Sequence, residues 1–207
     1  MKPIRKFSDI IKNAEPINAV NVYPASIDDI GWIAQLESEL FTGKDVIPVE
    51  QLLEWYKINQ TGFFIFKTED GKRIGHIDIL PLRPQIIKSI LAGELIEREI
   101  KGIYLYTPNE KNLIKNLYIE CVAIKPTGRI RAIALQSFLS NFSSMVSNIC
   151  PVDNIEKIFA VAATKQGEQF MKNFGFTVAQ EEDKRKDGHK LFVGDMKTLL
   201  LRIPDQS

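Results

Sequence analysis

Apolar residues along this chain fall into short alternating runs and longer stripes of helical period, with polar turns between them. Val20 and Val22 alternate with polar neighbours, which predicts a short strand. Pro24-Ala25-Ser26 then leads into a helix, with Ser26 or Asp28 as its cap and Ile30, Ile33, Leu36 and Leu40 as its stripe. Pro48 suits the start of a second helix, with Leu52, Leu53 and Tyr56 on one face. Phe63-Phe64-Ile65-Phe66 predicts a strand, Glu69-Asp70-Gly71-Lys72 a hairpin turn, and residues 74–80 the return strand, ending at Pro81. Residues 84–100 predict one helix with the broad stripe Ile86, Ile87, Ile90, Leu91, Leu95 and Ile96, and with Glu94, Glu97, Arg98 and Glu99 in solvent. Residues 117–124 are apolar on both faces apart from Glu120, as in a central strand. A helix follows over 129–147, striped by Ile130, Ile133, Ala134, Phe138, Phe142 and Met145. Residues 158–162 predict a buried strand, and residues 166–174 a helix stopped by Gly175. The last strands fall at 176–181 and 189–200, split by the polar turn 181–188.

Strands alternate with helices only in the second half. The expected fold class is therefore α/β, a mixed sheet with an antiparallel front half and a parallel crossover in the middle. Residues 1–18 read as an extension, with a turn or two of helix at Phe7, Ile10 and Ile11 ended by Pro16. Residues 19–203 form the domain, 84–115 an insertion between strands, and 204–207 a tail.

A chain of 207 residues is of single-domain size and can bury a core without disulfides or metal. Its 27 basic and 26 acidic residues give a net charge of +1, which excludes a general nucleic-acid binder but not one small basic pocket. Cys121 and Cys150 are too few for a disulfide scaffold or a Cys-rich zinc site, and His76 and His189 too few for a His-based one. No metal is therefore expected. Charges interrupt the N-terminus too often for a secretory leader, and no apolar run reaches the roughly 18 residues of a membrane span. The expectation is a soluble cytoplasmic protein.

The chemistry concentrates in residues 120–134, Glu-Cys-Val-Ala-Ile-Lys-Pro-Thr-Gly-Arg-Ile-Arg-Ala-Ile-Ala. A buried strand ends at Pro126 and a helix opens with Arg129 and Arg131 among small residues. The free amides of a helix N-terminus suit phosphate, and arginines add charge and paired donors. The bland alternative is a solvated first turn.

Here the chain resembles the GNAT superfamily of N-acetyltransferases. Arg129-Ile130-Arg131-Ala132-Ile133-Ala134 is similar to the family's phosphate loop, with Ala132 in place of its first glycine. The preceding Val-Ala-Ile-Lys-Pro resembles the family's central strand, and residues 163–176 its late helix with a terminal Gly-Phe step. With matching strand order the resemblance extends over about residues 19–203. It implies a GNAT-like, mostly antiparallel sheet with a splayed central strand pair, and acetyl-CoA as acyl donor. The backbone of Val122 and Ile124 would bond the pantetheine arm, and the amides of Arg129, Ile130, Arg131, Ala132, Ile133 and Ala134 the pyrophosphate. Thr164, Gly167 and Phe170 would line the other wall, and Lys125, Lys165 or Lys172 would meet the 3′-phosphate. The resemblance also implies direct attack of an amine on the thioester, with the Val122 N–H in the oxyanion site and Glu120 as general base. One departure is Met171, which occupies the position of the family's proton-donating tyrosine.

The other candidates carry plainer readings beside functional ones. Glu120 could equally serve a structural ion pair. His76 and Asp78 share one strand face, so they are candidates for contact with an amine substrate or ordinary hydrogen-bonded groups. Cys121 reads as a small buried thiol rather than a nucleophile, and Cys150, before Pro151, as a loop or helix-end residue. The insertion is a substrate lid, a homodimer surface or a cover for the sheet edge. The expected function is transfer of acetyl from acetyl-CoA to a primary amine, on a small molecule or a protein. The alternative is a non-catalytic acyl-CoA-binding or interaction module. Neither nucleic acid nor membrane is an expected partner.

Overall fold

The structure is a computed structural model that describes residues 19–125 and 127–202. The expected extension with Phe7, Ile10 and Ile11, the strand end at Pro126 and the tail lie outside the described residues.

Among the described residues seven strands form one sheet: β1 Val20–Pro24, β2 Phe63–Thr68, β3 Arg73–Leu80, β4 Asn116–Ile124, β5 Lys157–Ala162, β6 Thr177–Gln180 and β7 Lys190–Asp195. Their order is β1-β2-β3-β4-β5-β7-β6. Among these strands only β4 and β5 run parallel, and the crossover between them is the helix α4, Gly128–Ile149. The helices α1 Ile30–Leu40, α2 Val49–Ile58 and α3 Pro84–Leu91 cover one face. The other carries α4, α5 Lys165–Phe174 and the short α6 Met196–Leu200.

Each face has its own core. Phe66, Ile77, Ile79, Leu117, Ile119, Ile158 and Phe192 point towards α4 and α5, where Phe138, Phe142 and Phe174 meet them. Ile65, Leu80, Tyr118 and Phe159 point the other way, into Ile30, Ile33 and Trp55. Period-two strands sandwiched between helices bury both faces, which is why the central strands read as continuous apolar runs.

Four sequence expectations are corrected. The buried anchor of α2 alongside Leu52 is Trp55, whose Nε1 donates to the Ile100 carbonyl at 3.0 Å, while Leu53 and Tyr56 are half-buried. Leu40 and Ile130 end exposed, because each sits at the last or first turn of its helix. The helix expected over 84–100 stops at Leu91. Gly93 takes φ +73° and passes so close to Lys184 that a Cβ would lie 2.4 Å from its carbonyl oxygen. The Arg185 side chain donates to the Ile90 carbonyl at 2.8 Å. The chain beyond therefore folds back in 3-10 turns and points Glu97 inwards rather than into solvent. Finally, the strand expected over 189–200 ends at Asp195, whose carboxylate caps α6 by accepting from the Thr198 amide at 3.1 Å.

Two irregularities in β4 position the site. Asp78 pairs with Cys121 and Ile79 with Ile119, so Glu120 is the extra residue of a β-bulge. The bulge reverses the alternation: Leu117 and Ile119 face α4, and so do Val122 and Ile124. Glu120 and Cys121 consequently lie towards the α1 side. Second, β4 and β5 pair only from Asn116–Lys157 to Ile119–Ala160. Beyond that point the two strands part.

Candidate functional site

The parting strands open a cleft of about 430 Å³. One wall is Ile119 to Val122 of β4 with Thr127, which precedes α4, and Gly128, Arg131 and Leu135 of that helix. The other is Val161 to Thr164 with Gln166, Gly167, Phe170 and Met171 of α5. Glu37, Phe41, Asp45 and Glu97 close one end.

Gly128, at the start of α4, adopts φ +64°, a left-handed turn that glycine enters at little cost. Gly128, Arg131 and Leu135 are then spaced by three and four residues, so one face of the helix meets the cleft. The amides of the first turn of α4 precede the helix's own i→i−4 ladder. The amides of Ala132, Ile133 and Ala134 fall past that turn and serve the helix ladder. Ala134 is fully buried in the core, and Arg129, Ile130, Ala132 and Ile133 do not line the cavity. On the opposite wall the Thr164 hydroxyl caps α5 by accepting from the Gly167 amide at 3.0 Å. A Cβ on Gly167 would lie 3.3 Å from that hydroxyl, so glycine lets the cap close tightly. Among the lysines considered for a 3′-phosphate, Lys125 pairs with Glu39 at 2.5 Å and Lys172 with Glu168 at 3.7 Å.

The end of the cleft away from α4 is acidic and buried. Glu37 comes from α1, His76 and Asp78 from β3, and Glu120 and Cys121 from the β4 bulge. His76 and Asp78 are fully buried and form the layer behind the wall, so neither lines the cavity. His76 Nδ1 lies 3.2 Å from Asp78 Oδ2, and Nε2 lies 3.6 Å from Glu37 Oε1 and 3.9 Å from Cys121 Sγ. Burial alone would lower the His76 pKa, but the carboxylates of Asp78 and Glu37 outweigh it and the net shift is upward. Burial pushes Glu37 up to about 7 against the pull of His76, and pushes Glu120 well above the usual carboxylate range. Burial and the surrounding carboxylates likewise raise the Cys121 thiol, which fits the expected inert thiol. Met171 is buried against the opposite wall.

Of the sequence candidates, the fold brings Glu120, Val122, Arg131, Thr164, Gly167 and Phe170 to one cavity. Ile124 continues β4 beyond it, paired with Gly75. Sequence reading missed Glu37 and Glu97. Glu37 had a signal, since it follows Ile33 by four residues and so interrupts an apolar stripe with a carboxylate. Glu97 had none: its role depends on the chain turning back at Gly93, which brings its Oε1 2.6 Å from the Tyr118 hydroxyl.

The strand order, the bulge and the cleft between β4 and β5 decide the fold. The chain has the GNAT fold. Solved structures agree: the loading GNATL domain of CurA from Lyngbya majuscula superposes with a TM-score of 0.60 at 16% identity, over 87% of this chain and 100% of that one. The yncA protein of Salmonella typhimurium, a putative acetyltransferase with its cofactor acetyl-CoA, gives 0.55 at 14% identity, over 86% of this chain and 95% of that one. Neither protein-family models nor curated proteins contain a match to this sequence. As in other GNAT folds, a parallel pair interrupts an otherwise antiparallel sheet. Among the described residues no helix is long and apolar enough to cross a membrane.

Proposed function

We propose that this chain is an acetyl-CoA-dependent N-acetyltransferase acting on a primary amine of a small molecule or a protein. One observation carries the reading: β4 and β5 part at Ile119 and Ala160, and the cleft this opens is lined by Gly128 and Arg131 at the N-terminus of α4. A parted strand pair leaves backbone donors and acceptors without ladder partners, and an extended amide-bearing arm can satisfy them. The pantetheine arm would run along Val122 and Ile124, and the diphosphate would sit at the N-terminal turn of α4, with Arg131 adding a charge-assisted donor. The acidic end of the cleft receives the acceptor.

In this scheme the Val122 N–H supports the oxyanion formed when the amine attacks the thioester carbon. Glu120, the bulge residue, takes the proton from the attacking ammonium. Its Oε2 is buried without a hydrogen-bond partner, so a donor entering the cleft finds an open acceptor. The CoA thiol has a pKa near that of cysteine, about 8.5, so it can leave as thiolate although Met171 offers no proton.

Calorimetry with coenzyme A tests the binding half. We expect saturable binding to the full chain, weakened at least about tenfold (~1.4 kcal/mol) by Arg131→Glu. No heat with the native chain, or an unaffected variant, would overturn it. Met171 on the wall supports a second reading, a CoA-binding module without turnover. Tight binding with no CoA release over a broad amine panel would favour that module.

A further inference from the structure

We propose that Glu37, His76 and Cys121 form a binding site for a divalent ion of the zinc type, with Asp78 positioning His76 from behind. The inference stands independently of the coenzyme reading. The carboxylate, imidazole and thiol ligand atoms all lie within 4.8 Å of one another. His76 Nε2 is the common vertex, 3.6 Å from Glu37 Oε1 and 3.9 Å from Cys121 Sγ. Zinc bound tetrahedrally at about 2.0–2.3 Å would hold such atoms about 3.3–3.6 Å apart, so the two separations from His76 need to close by only a few tenths of an ångström.

Hydrogen-bond accounting points the same way. Glu37 is only 1% exposed, and its Oε2 accepts from the Ile47 amide at 3.4 Å. Its Oε1, which faces His76, has no hydrogen-bond partner. A buried carboxylate oxygen without a donor is costly, and a cation would satisfy it. Asp78 completes the pattern. Metal-bound histidines generally hold their second ring nitrogen against a carboxylate, and here Asp78 Oδ2 lies 3.2 Å from Nδ1, within reach but not aligned as a hydrogen bond, with both residues fully buried. Three protein ligands leave a fourth position. Glu37 and Cys121 line the cleft, so that position opens on its acidic end.

The chain has two cysteines and two histidines, too few for a uniform ligand set. A mixed set needs one of each, and the β4 bulge brings Cys121 onto the same side as His76. Asp78, His76 and Cys121 also stand in the order of a nucleophilic relay, in which Cys121 Sγ would attack a thioester carbon, expel the CoA thiolate and keep the acyl group. Charge decides between the two. A thiolate at Cys121 would lie among Glu37, Asp78 and Glu120, which repel it; the same three carboxylates attract a dication.

Cobalt(II) titration of the chelator-stripped full chain tests the site without any substrate. We expect one equivalent to bind with visible bands of a tetrahedral ion and a near-ultraviolet thiolate charge-transfer band, both bleached by zinc. Cys121→Ser should lose the near-ultraviolet band, and Asp78→Asn should weaken binding by about 10–100-fold. Circular dichroism of each variant separates these effects from misfolding. No thiolate band in the folded native chain would overturn the site, as would a band that survives in folded Cys121→Ser. An acetyl group on Cys121 after incubation with acetyl-CoA would also overturn it, in favour of the nucleophilic relay.

Discussion

Glu120 owes its position to the register shift in β4. Without the extra residue, the alternation of β4 would place Cys121 on the α4 side, apart from His76 and Asp78. With it, a carboxylate and a thiol stand side by side towards α1. As general base, Glu120 is expected to be worth about 10²–10⁴-fold in rate, so Glu120→Gln should lower kcat by that order while coenzyme affinity stays within a factor of a few. Steady-state kinetics beside calorimetry checks this, and an unchanged kcat would remove Glu120 from the role. The sequence showed that Glu120 was unusual, because it is the one charge in an apolar strand. It did not show the bulge, since register is set by cross-strand partners rather than by the strand's own composition.

At the level of elements, the sequence was most legible where one period dominates. The strands β2, β3, β4 and β5 and the helices α1, α4 and α5 lie close to where their patterns place them. It was least legible where a single backbone contact overrides a good stripe. Leu95 and Ile96 continue the apolar pattern of α3, yet Gly93 ends the helix against Lys184. The same limit applies to the cleft: an unpaired strand edge has no compositional mark. It does have a dynamic one. Residues 116–119 of β4 are held by neighbours on both edges, whereas residues 121–124 have β3 alone. Cleft-facing amides in 121–124 should exchange hydrogen quickly in the free chain and slow markedly with coenzyme A, while 116–119 stay protected throughout. Exchange mass spectrometry reads both, and equal protection of the two segments in the free chain would contradict the parted edge.

Over the whole molecule, a near-neutral charge balance conceals a strongly uneven interior. Buried acids collect between α1, β3, β4 and the turn carrying Glu97. Burial holds the Glu97 carboxyl up at about 8, with Asp187 and Glu37 adding to the rise and the Tyr118 hydroxyl and Arg185 opposing it. The ordinary value is 4.5, so between these limits the folded chain keeps a proton that the unfolded chain has released. Stability contributed at Glu97 is therefore full at low pH and is lost as pH rises through this window. Urea midpoints measured at roughly pH 5 and pH 9 should fall, and Glu97→Gln should flatten the fall. A slope identical in the variant would show that Glu97 titrates normally.

The two walls of the cleft are also fastened to each other. Phe138 and Phe142 of α4 meet Phe170 and Phe174 of α5, with ring centroids 5.0 Å apart at Phe142–Phe174 and 5.6 Å at Phe138–Phe170. Such ring pairs add about 0.5–1.5 kcal/mol each beyond their burial. The jaws are thus clamped from below before any guest arrives. A guest entering the slot meets a preorganised width and gives up little freedom of the host to fit it.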